Sequence, residues 1–512
     1  MKKFLALILS IAMVLSLAAC GETKEPASTD NTTPDTTEAE TKVMEKIAIA
    51  IQETPTSLDP QVGDLVANKL IWNCTHESLL GIDLTNNTII PELAYQYDIS
   101  EDGLTYTFYL NKGVKFHNGE ELKAADVVYT FTRANDMPDV SGRIGALESV
   151  TALDEYTVEM KLNAVNQDWT FVCADQLFSI LNEKACTEDT ANGAAIGTGP
   201  FYSTLYAQNE KVVVERFDDY WGDAVPTEEI TFRVITEASA RSVALQNGEV
   251  QAITKPDTIE LDYLNEDPTV DLIQIPGASL KYLAFNSFDE VTGNQLVRQA
   301  IACALDRDAI IAAAVNGLGE PAYTMWGTNV YGYDPSVKTF DYDVEKAKQL
   351  LAEAGYPDGV DIEVVCTDAY SVQCQMLQDA LKKANINVTI NTMDAPGMKT
   401  YMLSHENQMS WNSVSYAANA DDMRWSYGVA GSGNRGGFVV EKFDELLDVC
   451  MSSSDETARK QACTDVQTLN ADICWYIPVY DDLVNLAMKV GTTGVIVSNV
   501  EIHDFSRICV AE

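Results

Sequence analysis

The sequence predicts an α/β protein built from more than one domain, and three observations support this prediction. The chain has 512 residues, which is more than a single hydrophobic core organises. Its composition, 46% hydrophobic and 22% charged, is typical of a globular protein with a sizeable core. Strand and helix signals alternate: apolar strands at 362–366 and 386–390 flank a helical pattern at 371–384, a unit suited to a parallel sheet.

The N-terminus has the features of an export signal. A positively charged start, an apolar run at 4–15 and the letters LAAC at 17–20 form a charged region, a hydrophobic region and a cleavage site ending in Cys20. The site resembles the lipobox of bacterial lipoproteins, which implies that residues 1–19 are removed and that Cys20 is diacylated. An ordinary secretory signal or a membrane helix is the alternative, although the apolar run is short for a membrane span.

Residues 20–44 are predicted to be a disordered acidic tether. The segment is rich in Thr, Glu, Asp and Pro and has almost no large apolar residue, so it cannot offset the entropy cost of ordering. The folded part should therefore begin near residue 45.

The overall charge excludes one class of partner. The formal net charge is -43, and no basic stripe reverses it locally. Such a chain repels phosphate backbones, so nucleic-acid binding is not expected.

Ten cysteines remain after Cys20, and their pairing is open from sequence. An even number in an exported protein is typical of a disulfide framework. Cys303, however, lies among the apolar positions of a helix and Cys366 ends an apolar strand, which favours buried thiols. No pair has the CxxC spacing of a zinc site, and no metal or other cofactor is expected.

The first part of the folded chain carries strand and turn signals in close succession. Turn pairs occur at 102–103, 118–119 and 154–155, and residues 105–110 alternate between apolar and polar. The predicted elements are a strand at 47–51, a loop at 54–60, a helix at 68–80, a strand at 105–110, a helix at 124–133 and a hairpin at 150–162.

The second part adds further strands and helices. Gly248 and Gly355 follow helical patterns and predict helix ends. The predicted elements are strands at 212–215 and 230–235, a helix at 239–247, a strand at 281–286, a helix at 344–354, the unit at 362–390 and a strand at 477–480.

Several of these stretches resemble one protein family over nearly the whole mature chain. The stretch 91–133, GTGP at 197–200, YWG at 220–222, VRQAI at 297–301 and ALDR at 304–307 occur in its order. The chain resembles the family 5 extracellular solute-binding proteins, the oligopeptide, dipeptide and nickel receptors of ABC importers.

The resemblance implies a two-lobed, periplasmic-binding-protein-like α/β fold with a cleft between the lobes and an extra α/β subdomain inserted in the first lobe. By this alignment lobe I comprises 45–66, 197–280 and 478–512, the inserted subdomain comprises 67–196, and lobe II comprises 281–477. The strands at 281–286 and 477–480 are expected to be the two crossings between the lobes.

The resemblance also implies a function and partners. The expected protein is not an enzyme but a monomeric receptor, lipid-anchored at the extracellular face of the cytoplasmic membrane, or periplasmic where an outer membrane exists. It would capture short peptides by hinge closure and deliver them to ABC permease and ATPase subunits. A nickel or other metal chelate is the alternative ligand. An extracellular hydrolase and an adhesin-like surface protein are other classes, but HExxH and GxSxG motifs are missing and the landmarks argue against an adhesin.

The segment 410–427, SWNSVSYAANADDMRWSY, is the main candidate for ligand contact. Its rings and small polar side chains suit a cleft, and Trp411, Tyr416 and Asn419 are the candidate wall residues. The alternative interpretation is a core strand followed by a polar loop.

The same segment departs from the family's peptide binders. They carry an aspartate that pairs with the α-amine of the peptide, whereas alignment on the strand places Ala417 there. Either Asp421 or Asp422 provides the carboxylate, or the ligand has no free amine.

Four further candidates come from other parts of the chain. Thr56 and Ser57 lie in the loop that leads into the cleft in the family, and Tyr480 lies on the return crossing. Arg143 lies where nickel-receptor relatives place a cleft arginine, and a solvated surface arginine is its alternative.

The GxGxxG at 431–436 lacks a preceding strand and indicates a surface loop, not a nucleotide site.

Overall fold

The computed structural model describes residues 43–83, 88–138, 140–328, 330–415, 421–431 and 433–511. The predicted signal, the tether up to residue 42 and Cys20 lie outside the described residues. None of the helices within these ranges is long and apolar enough to cross a bilayer.

The first part of the chain forms one strand of a large sheet and then the predicted inserted subdomain. Its elements are β1 (Lys46–Ile51), α1 (Val66–Thr75), β2 (Leu80–Asp83), β3 (Thr88–Pro91), β4 (Ala94–Ile99), β5 (Thr105–Leu110), α2 (Ala124–Ala134), β6 (Leu147–Asp154), β7 (Thr157–Leu162), α3 (Trp169–Ala174) and α4 (Glu183–Glu188). The antiparallel sheet β4-β5-β7-β6 confirms the predicted hairpins. Gly103 adopts a φ of 70° at the first turn, a conformation that glycine tolerates best.

The next part returns to the large sheet. Its elements are β8 (Phe201–Ala207), β9 (Lys211–Arg216), β10 (Glu229–Val234), α5 (Ala238–Gln246), β11 (Ala252–Thr254), α6 (Leu261–Glu266) and β12 (Val270–Phe285). The predicted strand at 281–286 is thus the end of a strand 16 residues long.

The last part contains most of the helices. Its elements are α7 (Gln295–Ala304), α8 (Arg307–Ala314), β13 (Gly319–Pro321), α9 (Val344–Glu353), β14 (Val360–Thr367), α10 (Ser371–Lys382), β15 (Ile386–Met393), α11 (Ala395–Leu403), β16 (Met409–Ser415), α12 (Asp421–Tyr427), α13 (Glu441–Ser452), α14 (Glu456–Ile473), β17 (Tyr476–Lys489), β18 (Thr492–Thr493) and β19 (Cys509–Val510). The β14–β15 pair is parallel, as the βαβ pattern predicts.

The large sheet joins the two ends of the molecule through two long strands. Its order is β15-β14-β16-β12-β17-β11-β1-β10-β9-β8, with β13 paired to β17. β12 pairs with β16 near its C-terminal end and with β17 along most of its length. Both long strands therefore run from one half of the sheet into the other, where the sequence predicts the crossings.

Separate hydrophobic cores lie on either side of these strands. One core collects buried side chains between Leu280 and Tyr480, and a second lies within 72–180. A third contains β1, β9 and β10 together with residues near the C-terminus. This distribution follows the predicted division into lobe II, inserted subdomain and lobe I, whose exact boundaries remain predictions.

Two arginines explain the VRQAI and ALDR stretches. The buried Arg298 guanidinium donates hydrogen bonds to the carbonyl oxygens of Thr292, Gly293, Ile473 and Cys474 at 2.8–3.2 Å. The buried guanidinium of Arg307 donates to carbonyl oxygens of Ala322 and Pro478 and to the Thr339 hydroxyl. Burial lowers the pKa of both arginines to about 10. These arginines satisfy backbone oxygens of irregular segments around the start of β17, and so act structurally.

The ten cysteines after Cys20 are unpaired thiols in this structure, and nine of them are buried. Cys303 and Cys366 are among the buried ones, in line with their apolar sequence positions.

Candidate functional site

A cavity of about 1520 Å³ opens where lobe I, the inserted subdomain and the two long strands meet. It is lined by Gly277 and Ser279 of β12 and by residues 482–485 in the middle of the crossing strand β17. Lobe II reaches it through Val315, Leu318 and Thr328. The cavity therefore lies beside the predicted hinge, where relative movement of the lobes changes its shape.

One wall carries a network of alternating charges. Asp64 accepts ion pairs from Lys69 at 2.5 Å and from Arg143 at 2.7 Å, and Arg143 also contacts Asp175 at 3.1 Å. Burial alone raises the pKa of Asp64, but the two cations outweigh it and hold that pKa below its usual range. The negative charges of the two carboxylates equal the positive charges of the two cations, so Arg143 is already paired within this network.

Glu77, which lines the cavity, connects two of the landmark stretches of the sequence. Its Oε2 accepts hydrogen bonds from the Thr198 hydroxyl and the Trp221 indole N–H, both at 2.8 Å, and its Oε1 accepts one from the Tyr220 hydroxyl at 2.8 Å. The side chain is 7% exposed. Burial raises the pKa of Glu77 to about 7, although these hydrogen bonds oppose the shift. Glu77 thus ties the GTGP and YWG stretches to the end of α1.

The glycines of GTGP serve the same junction. A Cβ on Gly197 would collide with the Thr75 carbonyl oxygen, and one on Gly199 would lie 2.7 Å from the Thr75 carbonyl carbon. These contacts explain why the segment passes so close to the end of α1 only with glycine at both positions.

Two more carboxyl groups of the cavity lining lie near Glu77. Glu92 accepts a hydrogen bond from the Ser78 amide at 2.8 Å, and burial together with the charge of Glu77 raises its pKa well above the usual range. Burial also raises the pKa of Asp504, and Arg507 opposes that shift. Three carboxyl groups and one arginine make this part of the cavity acidic.

The crossing strands carry a further ion pair. Lys281 Nζ on β12 contacts Asp482 Oδ2 on β17 at 2.6 Å, and the lysine side chain is 5% exposed. Burial raises the pKa of the neighbouring Asp481 to about 7. The Asp481 Oδ1 atom is buried and has no hydrogen-bond partner among the described residues.

The sequence-predicted residues are spread over different environments. Of those that the structure describes, only Arg143 lines the cavity. Thr56 is exposed and its amide donates to Asn68 Oδ1, whereas the Ser57 hydroxyl accepts from the Asp59 amide. Trp411 and Tyr480 are fully buried on β16 and β17, with their ring centroids 6.4 Å apart.

The remaining candidates cannot be placed in the same way. Tyr416, Ala417 and Asn419 lie outside the described residues. Asp421 and Asp422 begin α12, and their side chains lie outside the described part of the structure. The ligand contacts of this segment remain predictions.

Sequence reasoning missed the residues that shape the cavity most. Glu77 was not singled out, although an acidic residue inside the otherwise apolar and weakly polar run 70–80 was a usable signal. Asp64, Asp175 and Asp504 also line the cavity, but they come together only in the folded chain because they are far apart in the sequence. Within the described ranges no cluster of His, Cys, Asp and Glu has the geometry to hold a metal ion.

Comparisons with known proteins agree on one family. A family model described as bacterial extracellular solute-binding proteins, family 5 middle, matches residues 88–437. The heme-binding protein A of Haemophilus influenzae is 29% identical over 392 residues, which cover 70% of each chain. The dipeptide-binding protein of Escherichia coli K12 is 30% identical over 316 residues, which cover 56% of this chain and 59% of that relative.

A solved structure shows the same fold. HbpA2 from Haemophilus parasuis has a TM-score of 0.83 and 24% sequence identity to this chain, with coverage of 90% of this chain and 99% of HbpA2. The two-lobed α/β architecture expected from the sequence is thereby confirmed.

Proposed function

The chain belongs to the family 5 bacterial extracellular solute-binding proteins, and from this premise we propose that it captures short peptides for an ABC importer. In this proposal it is a monomeric receptor without catalytic activity. It binds the peptide in the cavity, closes around it and delivers it to the permease and ATPase subunits at the extracellular face of the membrane.

The observation that carries this proposal is the cavity beside the crossing strands. Its volume of about 1520 Å³ exceeds the ~300–1,000 Å³ typical of sites for drug-sized molecules. It therefore has room for a peptide with its side chains and bound water. A relative that is 30% identical is named as a dipeptide-binding protein, which supports the same ligand class.

The charges of the cavity favour a ligand that carries an amine. Burial raises the pKa of Glu77, Glu92 and Asp504, and a positive group bound beside them would favour their ionised forms and pair with them. A chelate carrying several carboxylates would need a free cation. Arg143, the position suggested by nickel receptors, is already shared between Asp64 and Asp175. A metal chelate is therefore the second candidate.

Peptide capture would rest on main-chain hydrogen bonds with little sequence preference. The side chains we propose around the peptide are those predicted from sequence, with Asp421 or Asp422 as partner of the amine. They are Thr56, Ser57, Arg143, Trp411, Tyr416, Asn419, Asp421, Asp422 and Tyr480. Trp411 and Tyr480 are fully buried here, so their contact with a ligand requires a change of lobe arrangement.

We also propose that Cys20 carries a lipid anchor. Replacing Cys20 by alanine should move the protein from the membrane fraction into the medium, because a single acylated residue holds the whole chain. Fractionation followed by immunoblotting measures this shift, and Cys509→Ala is the matched control that should stay with the membrane. Equal membrane association of both variants would refute the anchor.

Closure on peptide binding is the test of the proposed function. A tetrapeptide with a demonstrated affinity should reduce the radius of gyration in X-ray scattering, because the crossing strands β12 and β17 allow the lobes to rotate together. A free amino acid at the same concentration is the control. A radius of gyration that does not respond to the bound peptide would contradict capture by hinge closure.

A further inference from the structure

Among the residues that the structure describes, two polar contacts at one place join the inserted subdomain to lobe II. The Gln167 amide donates a hydrogen bond to the Met451 carbonyl oxygen at 3.0 Å. The adjacent Asp168 forms an ion pair with Arg459, with Oδ1 and a guanidinium nitrogen 2.6 Å apart. Gln167 and Asp168 precede α3, whereas Met451 ends α13 and Arg459 lies in the first turn of α14.

The ion pair is buried and both partners are held in place. The side chains of Asp168 and Arg459 are 3% and 12% exposed. The Arg459 Nε donates to the Cys450 carbonyl oxygen at 2.5 Å, and its guanidinium lies 4.1 Å from the ring centroid of Tyr331. Arg459 is therefore oriented by its own lobe before it meets the carboxylate, and little side-chain freedom is lost on contact.

The subdomain side is equally fixed. The Asp168 amide donates to Asn166 Oδ1 at 2.9 Å, and the Asn166 carbonyl accepts from the Tyr106 hydroxyl at 3.1 Å. Trp169, the next residue, is fully buried in the subdomain core. The carboxylate is thus attached to a packed element and not to a free loop.

The same element forms part of the cavity wall. Phe171 and Ala174 of α3 and Asp175 directly after it line the cavity, and Asp175 holds Arg143. A change in the contact of Asp168 with lobe II therefore acts on the helix that faces the ligand.

We propose that Asp168 and Arg459, together with the Gln167 to Met451 hydrogen bond, form a latch that holds the inserted subdomain against lobe II and sets the affinity of the cavity. Arg459 is a positioning residue in this scheme, because it acts on the ligand through α3. The inference rests on the proposed function in one respect, namely that the lobes separate to admit a ligand.

The energetics of a buried ion pair suit a reversible latch. Separating the pair on opening rehydrates both ions, and this gain nearly balances the lost attraction, so the closed form is not locked. Removing one partner is different. It takes the attraction of the ion pair away from the closed form only, and so shifts the equilibrium towards the open form.

Hydrogen exchange of the Gln167 amide tests the latch without any ligand. This amide is protected by a carbonyl oxygen of the other lobe, so its exchange rate reports how often the two surfaces separate. In Arg459→Gln we expect exchange in peptides containing Gln167 to be faster by roughly tenfold or more. The radius of gyration without ligand should increase as well.

The matched control is Lys460→Gln on the neighbouring residue of α14. Lys460 pairs with Glu456 of its own helix at 2.7 Å, and its side chain is 58% exposed. Its removal should leave the Gln167 exchange rate at the wild-type value. A comparable acceleration in this control would overturn the latch, because the effect would then come from the helix and not from the ion pair.

Asp168→Asn provides the second variant, because it keeps the volume and leaves Arg459 on its carbonyl and ring partners. The latch predicts faster exchange at Gln167 here too, and a dissociation constant for any bound peptide that rises by the factor by which the closed population falls. Unchanged exchange in both Arg459→Gln and Asp168→Asn would overturn the proposal. The exchange readout needs no ligand, so a failure of peptides to bind would contradict the proposed function and leave the latch standing.

Discussion

Replacing Glu77 by alanine should lower the melting temperature of the protein by roughly 2–4 °C. The substitution removes the acceptor of three hydrogen bonds and leaves the hydroxyl of Thr198, the hydroxyl of Tyr220 and the indole N–H of Trp221 without it. Thr198 is fully buried, and each unsatisfied buried group costs about 1–3 kcal/mol, so a total of about 2–4 kcal/mol is expected. Thermal unfolding followed by circular dichroism measures the change.

Two controls separate this effect from loss of a charge. Glu101→Ala removes an exposed carboxylate of the same subdomain and should change the free energy of unfolding by less than about 0.5 kcal/mol. Glu77→Gln keeps one acceptor oxygen, so its melting temperature should fall less than that of Glu77→Ala. A melting temperature of Glu77→Ala equal to that of Glu101→Ala would show that the junction does not depend on Glu77.

The difference in stability between the wild type and Glu77→Gln should depend on pH, and the sign of this dependence follows from the pKa of Glu77. Burial raises the pKa of Glu77 in the folded protein to about 7, from its ordinary value of 4.5. The folded state then binds the proton more tightly, so this group stabilises fully below about pH 4.5 and loses that contribution as the pH rises through about 7. Glu77→Gln cannot titrate. Its deficit relative to the wild type should therefore be larger at pH 5 than at pH 8.

The local elements of the fold could be predicted from sequence because their signals are local. Alternation at residues 105–110 gives β5, and the glycines after α5 and α9 end these helices with φ values of 76° and 97°. The strands predicted at 281–286 and 477–480 are present, but they are longer than predicted, and their role as the crossings between the lobes remains a prediction. β12 and β17 run for 16 and 14 residues because each pairs with partners in both halves of the sheet, which a local pattern does not reveal.

The candidate site was predicted less completely because its residues meet only in three dimensions. Arg143 lines the cavity and its contact with a ligand remains a prediction, whereas its partners Asp64 and Asp175 lie 79 and 32 residues away in the sequence. Glu77 meets Thr198 across 121 residues. Trp411 was predicted as a wall residue from its aromatic character, and in this structure the same character packs it into the core of lobe II.

The largest expected effect on binding concerns the amine of the peptide. A buried ammonium group needs a carboxylate partner, and Ala417 cannot supply one. We expect Asp421→Ala or Asp422→Ala, whichever removes the true partner, to weaken peptide binding by ~2–5 kcal/mol, as when one member of a buried charge pair is removed. This equals roughly 30- to 4,000-fold in the dissociation constant. The other aspartate then serves as the matched control.

The measurement that tests peptide capture most directly is calorimetric titration of the wild-type protein with a free tetrapeptide and with its N-acetylated form. The account predicts that the free peptide binds and that acetylation costs an amount comparable to loss of the partner aspartate, because both changes break the same charge pair. Equal binding of both forms would contradict the amine anchor. If neither form binds, peptide capture itself is contradicted, and the metal chelate becomes the leading ligand.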